Sequence, residues 1–148
     1  LMACHSRIRR FSGGLVALCS TPSEDERVVP TAQACLTYFR DALPLHATDE
    51  EQSLLPRLLQ LPSPPLEALE RMSEQHARIE ALLPRVCAEL EGLGQGHPLQ
   101  DPELLRAFVA LLERHLEAEE EHLFGRIAEL PAAEHLAMVE ELRARRRA

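Results

Sequence analysis

Tryptophan is absent, tyrosine occurs once, and aromatic residues make up only 3% of the 148 residues. An aromatic core is thereby excluded, and leucine, alanine and valine must fill any interior. Glycine is scarce, at 6 residues. With leucine, alanine, glutamate and arginine abundant, this favours an all-helical chain. No apolar run approaches the length of a membrane span, and no signal peptide with a cleavage site is visible. A cytoplasmic protein with no membrane partner is expected. Positive charge is also short: the formal net charge of −8 argues against a nucleic-acid partner, because phosphate binding needs a basic surface. The one basic cluster, Arg143, Arg145, Arg146 and Arg147, reads as a helix C-terminus favoured by the helix dipole. Cys4, Cys19, Cys35 and Cys87 lack any CxxC spacing and read as reduced, mostly buried thiols.

What is present is a chain punctuated by proline and glycine. At this length one domain, residues 1–148, is expected. A first helix is predicted from about Met2 to Cys19, weakened by Gly13 and Gly14. A second covers about Val29 to Leu61 and should kink at Pro44. Ser63 is a suitable N-cap, with Pro64 at the first helical position of a third helix that runs to about Glu91. Asp101, followed by Pro102, caps a fourth that reaches about Leu130. Pro131 then opens a short terminal helix. The fold expected is an all-α, up-down-up-down four-helix bundle over residues 2–130, with a short extra C-terminal helix over 131–148.

The second and fourth helices repeat one another. His46-Ala-Thr-Asp-Glu50-Glu51-Gln-Ser-Leu54-Leu55-Pro56-Arg57-Leu58 matches His115-Leu-Glu-Ala-Glu119-Glu120-Glu-His-Leu123-Phe124-Gly125-Arg126-Ile127, giving H-x3-E-E-x2-L-[LF]-[PG]-R-[LI]. The first and third helices also match, His5-Ser-Arg7-Ile8 against His76-Ala-Arg78-Ile79. One helical hairpin is used twice, each copy supplying two histidines and one H-x3-E pair.

Helical spacing puts these residues on apolar seams. In the fourth helix the line runs Leu104, Phe108, Leu111, His115, Glu119, Leu123 and Ile127; in the second it runs Cys35, Phe39, Ala42, His46, Glu50, Leu54 and Leu58. Four imidazoles and two carboxylates in such a seam are costly without a compensating partner. A metal pair compensates them: imidazole and carboxylate without thiolate suit iron or manganese, and two carboxylates can bridge two ions. His122 aligns with Ser53 and reads as a bystander, as do His97 in its glycine-rich loop and His135 on the terminal helix. No zinc-peptidase HExxH, phosphate loop or GxSxG elbow occurs.

These motifs resemble the hemerythrin family, specifically bacterial hemerythrin HHE cation-binding domains, from His5 to the region of Pro131. The most telling runs are DEE-xx-LLPRL after His46 and EEEHLF after His115. The resemblance implies an oxo- or hydroxo-bridged pair of iron ions, with manganese or zinc as substitutes in purified protein. It implies His5 and His46 on one ion, His76 and His115 on the other, and Glu50 with an acid after His115 as bridges. That second bridge is Glu119 by the internal repeat and Glu120 by the spacing of family oxygen carriers. Those carriers also have a second histidine one turn after the first on the third helix. Glu80 stands there instead, as a substitute ligand or as a solvated residue. The function implied is uptake of oxygen or nitric oxide for sensing, storage or scavenging. The alternatives are a di-iron oxidase or peroxidase acting on oxygen or peroxide, and an iron sensor or donor.

Overall fold

The computed structural model describes residues 1–148 and is helical throughout, without a strand. Helix α1 spans Met2–Ser20. Helix α2 is a long rod over 28–59, interrupted by two π-turns, Tyr38–Ala42 and Glu50–Leu54. Helix α3 spans Leu66–Gly94, α4 Pro102–His122, α5 Phe124–Ile127 and α6 Ala132–Arg147. Helix α1 packs on α2 and α4, and α3 packs on α2 and α4. No helix is long and apolar enough to cross a membrane.

Proline explains the shape of α2. A proline has no N–H for the turn before it, and its ring crowds the preceding carbonyls. Ahead of Pro44 and Pro56 the helix widens by one residue: the Leu43 N–H donates to the Tyr38 carbonyl, and the Leu55 N–H to the Glu50 carbonyl. The rod therefore carries two local expansions where a single kink at Pro44 was expected. The second expansion begins at Glu50 itself.

Other boundaries move for equally local reasons. Helix α3 begins at Leu66 and not at Pro64, because Ser63 and Pro64 each precede a proline and are pushed out of the helical region. Asp101 does cap α4, its carboxylate accepting from the Leu104 N–H at 3.0 Å. Gly96, at φ +86°, takes the left-handed conformation that stops α3, and the His97 N–H returns to the Gly92 carbonyl at 2.9 Å. The fourth helix stops at His122, short of Leu130, and resumes as α5 beside Gly125. Gly14 marks a close approach of α1 and α2, since a Cβ there would lie 2.8 Å from the Cys35 sulfur. All four cysteines are free thiols; Cys35 is buried and the others are half-buried.

The apolar interior falls into two clusters. The larger holds 19 buried residues, among them Ile8, Leu15, Phe39, Val86, Leu90, Phe108 and Leu112. The smaller holds 8, including Leu54, Leu58, Leu69, Met72, Leu123 and Met138. On α2 and α3 the change from one cluster to the other falls at His46 and His76, and on α4 it falls at Glu119, between Leu116 and Leu123. A layer of polar residues thus divides the core.

Helix α6 has 16 residues and lies within the 131–148 expected for the terminal helix. Its Met138 and Leu142 join the smaller cluster at the end where α1 contributes no residue and Leu1, just ahead of it, is the N-terminal segment's contact. Its arginines are not simply solvated. Arg145 donates to Asp49 Oδ1 at 2.9 Å and Arg146 to Asp49 Oδ2 at 2.6 Å, while Asp49 is fully buried. Arg57 and Ser53 on α2 bind Glu141 in addition. A buried carboxylate stripped of its partners is strongly destabilising. The double variant Arg145→Ala/Arg146→Ala should lose about 3 kcal/mol of folding stability in urea titration; a change within about 0.5 kcal/mol would show that Asp49 does not depend on this contact.

Candidate metal centre

Six ionisable side chains meet in the layer between the two clusters. His5, His46, Glu50, His76, His115 and Glu119 are each at most 6% exposed. Each comes from a seam position on its helix, so every one of them points into the bundle.

Their donor atoms fall into two groups that share both carboxylates. In the first, His5 Nε2 lies 3.1 Å from Glu119 Oε2, and His46 Nε2 lies 3.0 Å from Glu50 Oε1. In the second, His76 Nε2 lies 3.0 Å from Glu50 Oε2, and His115 Nε2 lies 3.1 Å from Glu119 Oε1. Each carboxylate presents one oxygen to either group. Within each group the donor atoms all lie within 4.8 Å of one another.

These contacts could in principle be ordinary ion pairs, but their directions are wrong for most of them. His5 Nε2, both ring nitrogens of His46, Glu50 Oε1 and both oxygens of Glu119 are buried with no hydrogen-bond partner. Unpaired buried polar atoms on this scale are costly. Donors bound at about 2.1 Å and at right angles on one ion lie about 3 Å apart, which matches the separations found. The residues therefore fit a pair of cations.

Charge points the same way. Burial pushes Glu119 up to about 8, with the Glu50 carboxylate adding to the effect and His5 opposing it. Burial likewise raises Glu50, but the surrounding imidazoles outweigh it and hold Glu50 well below the usual carboxylate range. Burial drives His46 down to about 4, leaving a neutral imidazole ready to bind a cation. His5 is lowered by burial, yet Glu119, Glu50 and Glu120 together raise it to about 10.

The outer nitrogens of three histidines are held from outside the cluster. His5 Nδ1 contacts Glu120 Oε1 at 2.9 Å, His76 Nδ1 contacts Glu51 Oε1 at 2.8 Å, and His115 Nδ1 contacts Gln75 Oε1 at 3.1 Å. The H-x3-E-E repeat acquires a physical meaning here. Its first glutamate enters the cluster, and its second orients a histidine on a neighbouring helix. Glu120 is thus placed outside the cluster, at the back of the His5 ring. Neither the Glu51 contact nor Gln75 nor Asp49 was signalled by seam position, since all three lie off the apolar line.

The two halves differ in one respect. Four residues after His5 stands Arg9, which pairs with Glu120 at 2.7 Å and with Glu113 at 2.9 Å. The Phe124 ring also lies 4.7 Å from the His5 ring. Four residues after His76 stands Glu80, exposed and without an ion pair, and not among the clustered donors. On that side a cavity of about 550 Å³ opens, with His46, His76, His115, Glu51 and Glu80 on its wall. His97 and His122 are exposed and His135 is half-exposed, all outside the cluster.

A helical bundle with an internal layer of imidazoles and shared carboxylates belongs to the class of cation-binding bundles. Residues 67–148, more than half of the chain, match the model of the hemerythrin HHE cation binding domain, and the chain belongs to that family. An uncharacterized protein of Haemophilus influenzae is 29% identical over 124 residues, covering 81% of this chain and 72% of that protein. The matched segment carries His76, His115 and Glu119; the fold brings His5, His46 and Glu50 to them from outside it.

A cation must displace the protons that Glu119 and His5 hold near neutral pH in the metal-free protein. Metal affinity should therefore fall as pH drops from 8 to 6, by about tenfold per unit for each proton released. Competition titrations against a chelator of known affinity measure this slope, and a flat profile would show that Glu119 and His5 do not release protons to the metal.

Proposed function

We propose that the chain is a non-haem di-iron protein that binds oxygen or a related diatomic such as nitric oxide, for sensing, storage or scavenging. The bundle is taken as up-down-up-down, with His5 and His46 serving one ion, His76 and His115 the other, and Glu50 and Glu119 bridging. The observation that carries this reading is the crossed sharing of the two carboxylates, one oxygen of each facing either histidine pair. Ferrous iron, when bound, supplies the electrons and the open coordination position that such a ligand needs.

The chain's own residues do the rest. Glu50 and Glu119 bring two negative charges against two cations in a layer with apolar clusters on either side along the bundle, where charge interactions are strengthened. Glu51, Glu120 and Gln75 fix three of the four rings, so the Nε2 atoms face inward before any ion arrives. Glu80 lies outside the cluster, so each ion would have two imidazoles and the two shared carboxylates with no third carboxylate, which favours reversible binding over turnover.

Protein loaded anaerobically should contain two irons per chain, and admission of air should produce a visible absorption band that reverses on removing oxygen. Glu50→Ala should lose both irons together, because one carboxylate serves both. Full iron in that variant would remove Glu50 from the site, and rapid peroxide turnover without a reversible band would favour the oxidase or peroxidase alternative.

Removing an outer hydrogen bond should weaken binding without abolishing it. Glu51→Ala should lower metal affinity by about 10- to 100-fold, whereas His97→Ala and His135→Ala should leave iron content and spectrum as in the parent. Equal losses in all three would mean that the Glu51 contact has no special part in holding His76.

A further inference from the structure

The broken symmetry of the two halves has a chemical consequence. In the α1 half, Arg9 neutralises Glu120 and seals the back of His5. In the α3 half the matching position is Glu80, which cannot pair with Glu51, and the bundle is open beside both. The exposed charges at the mouth of this cavity are Glu51, Glu80 and Arg40; Arg40 is already paired with Asp41 at 2.8 Å. The mouth is therefore acidic. Its buried wall carries His76, His115 and His46, and His46 is only 4% exposed with both ring nitrogens unpartnered.

We infer that the cavity between α2 and α3 is the route by which divalent metal ions reach the cluster, with Glu80 drawing the cation in and the imidazoles of His76, His46 and His115 receiving it. The inference rests on the di-iron reading of the cluster. A mouth lined by carboxylates attracts a cation and repels an anion, and a cleft of one sign concentrates its counter-ion. The volume of about 550 Å³ accommodates a divalent ion with six waters, which need about 180 Å³ in all. Behind His5, by contrast, Arg9 presents a positive charge and Phe124 covers the ring.

The test is stopped-flow uptake of cobalt(II) by the metal-free protein, followed through the change in visible absorption as imidazole replaces water. Glu80→Arg copies the closed half by placing at this position the arginine found at its counterpart. It should slow uptake about tenfold at low ionic strength, less in high salt, and reach the parent's cobalt content at the end. Ala47→Leu, which fills the cavity with an uncharged group, should slow uptake at every ionic strength. Glu24→Arg changes the net charge equally at an exposed site remote from the cavity and should load at the parent's rate. Glu80→Arg and Glu24→Arg loading at one common rate would overturn the route, and so would a reduced final cobalt content in Glu80→Arg, which would make Glu80 a ligand. A parent that takes up no cobalt at all would instead overturn the metal reading, and this inference with it.

Discussion

The structure depends on the burial of six ionisable side chains in one layer of the bundle. Burying charge is tolerable only where opposite charges or a cation sit within a few ångströms. That condition fixes the rotation of α1, α2, α3 and α4 about their own axes, since each must present one histidine or one histidine–glutamate pair to the same point. Apolar packing alone would not do so: a leucine-rich seam tolerates rotation and sliding, and uniform leucine cores specify poorly. The His/Glu layer supplies what the aromatic-poor core cannot, a set of directional contacts that lock the register of every helix.

Three consecutive acids on α2 show how tightly this layer is built. Asp49 faces α6 and binds its arginines, Glu50 enters the cluster, and Glu51 turns to the outer nitrogen of His76. Neighbouring residues on a regular helix differ by about 100° in direction, so three successive side chains reach three different partners. The π-turn that starts at Glu50 then lets both Ser53 and Leu54 be buried, one toward α6 and the other in the apolar core.

Much of this was legible in the sequence, for a definite reason. Helical periodicity reports burial, so the seam residues His46, Glu50, His115 and Glu119 were visible as polar interruptions in apolar lines, and the repeat tied them together. What periodicity does not report is the direction of a residue just off the seam. Glu51 and Glu120 looked like solvated neighbours of the important glutamates, and Asp49 like part of an acidic run. The arginine tail read as a helix end because its partner lies nearly a hundred residues away. Proline positions were plain, yet the response of the backbone was not: a kink and a π-turn relieve the same clash, and tertiary packing chooses between them. Ser63 was a good cap by type, but the two prolines that follow it removed the helical geometry a cap requires.

The crossed sharing of carboxylates also bears on how the molecule holds together. The first hairpin provides both imidazoles of one group but only one of that group's two carboxylate oxygens; the second hairpin provides the other. The reverse holds for the second group. Neither half of the chain owns a complete set of donors, so on the di-iron reading bound ions act as rivets driven through both halves. Mechanical or proteolytic separation of the hairpins would then have to break two carboxylate–metal bonds, one at each ion, and the loaded protein would resist coming apart at that seam.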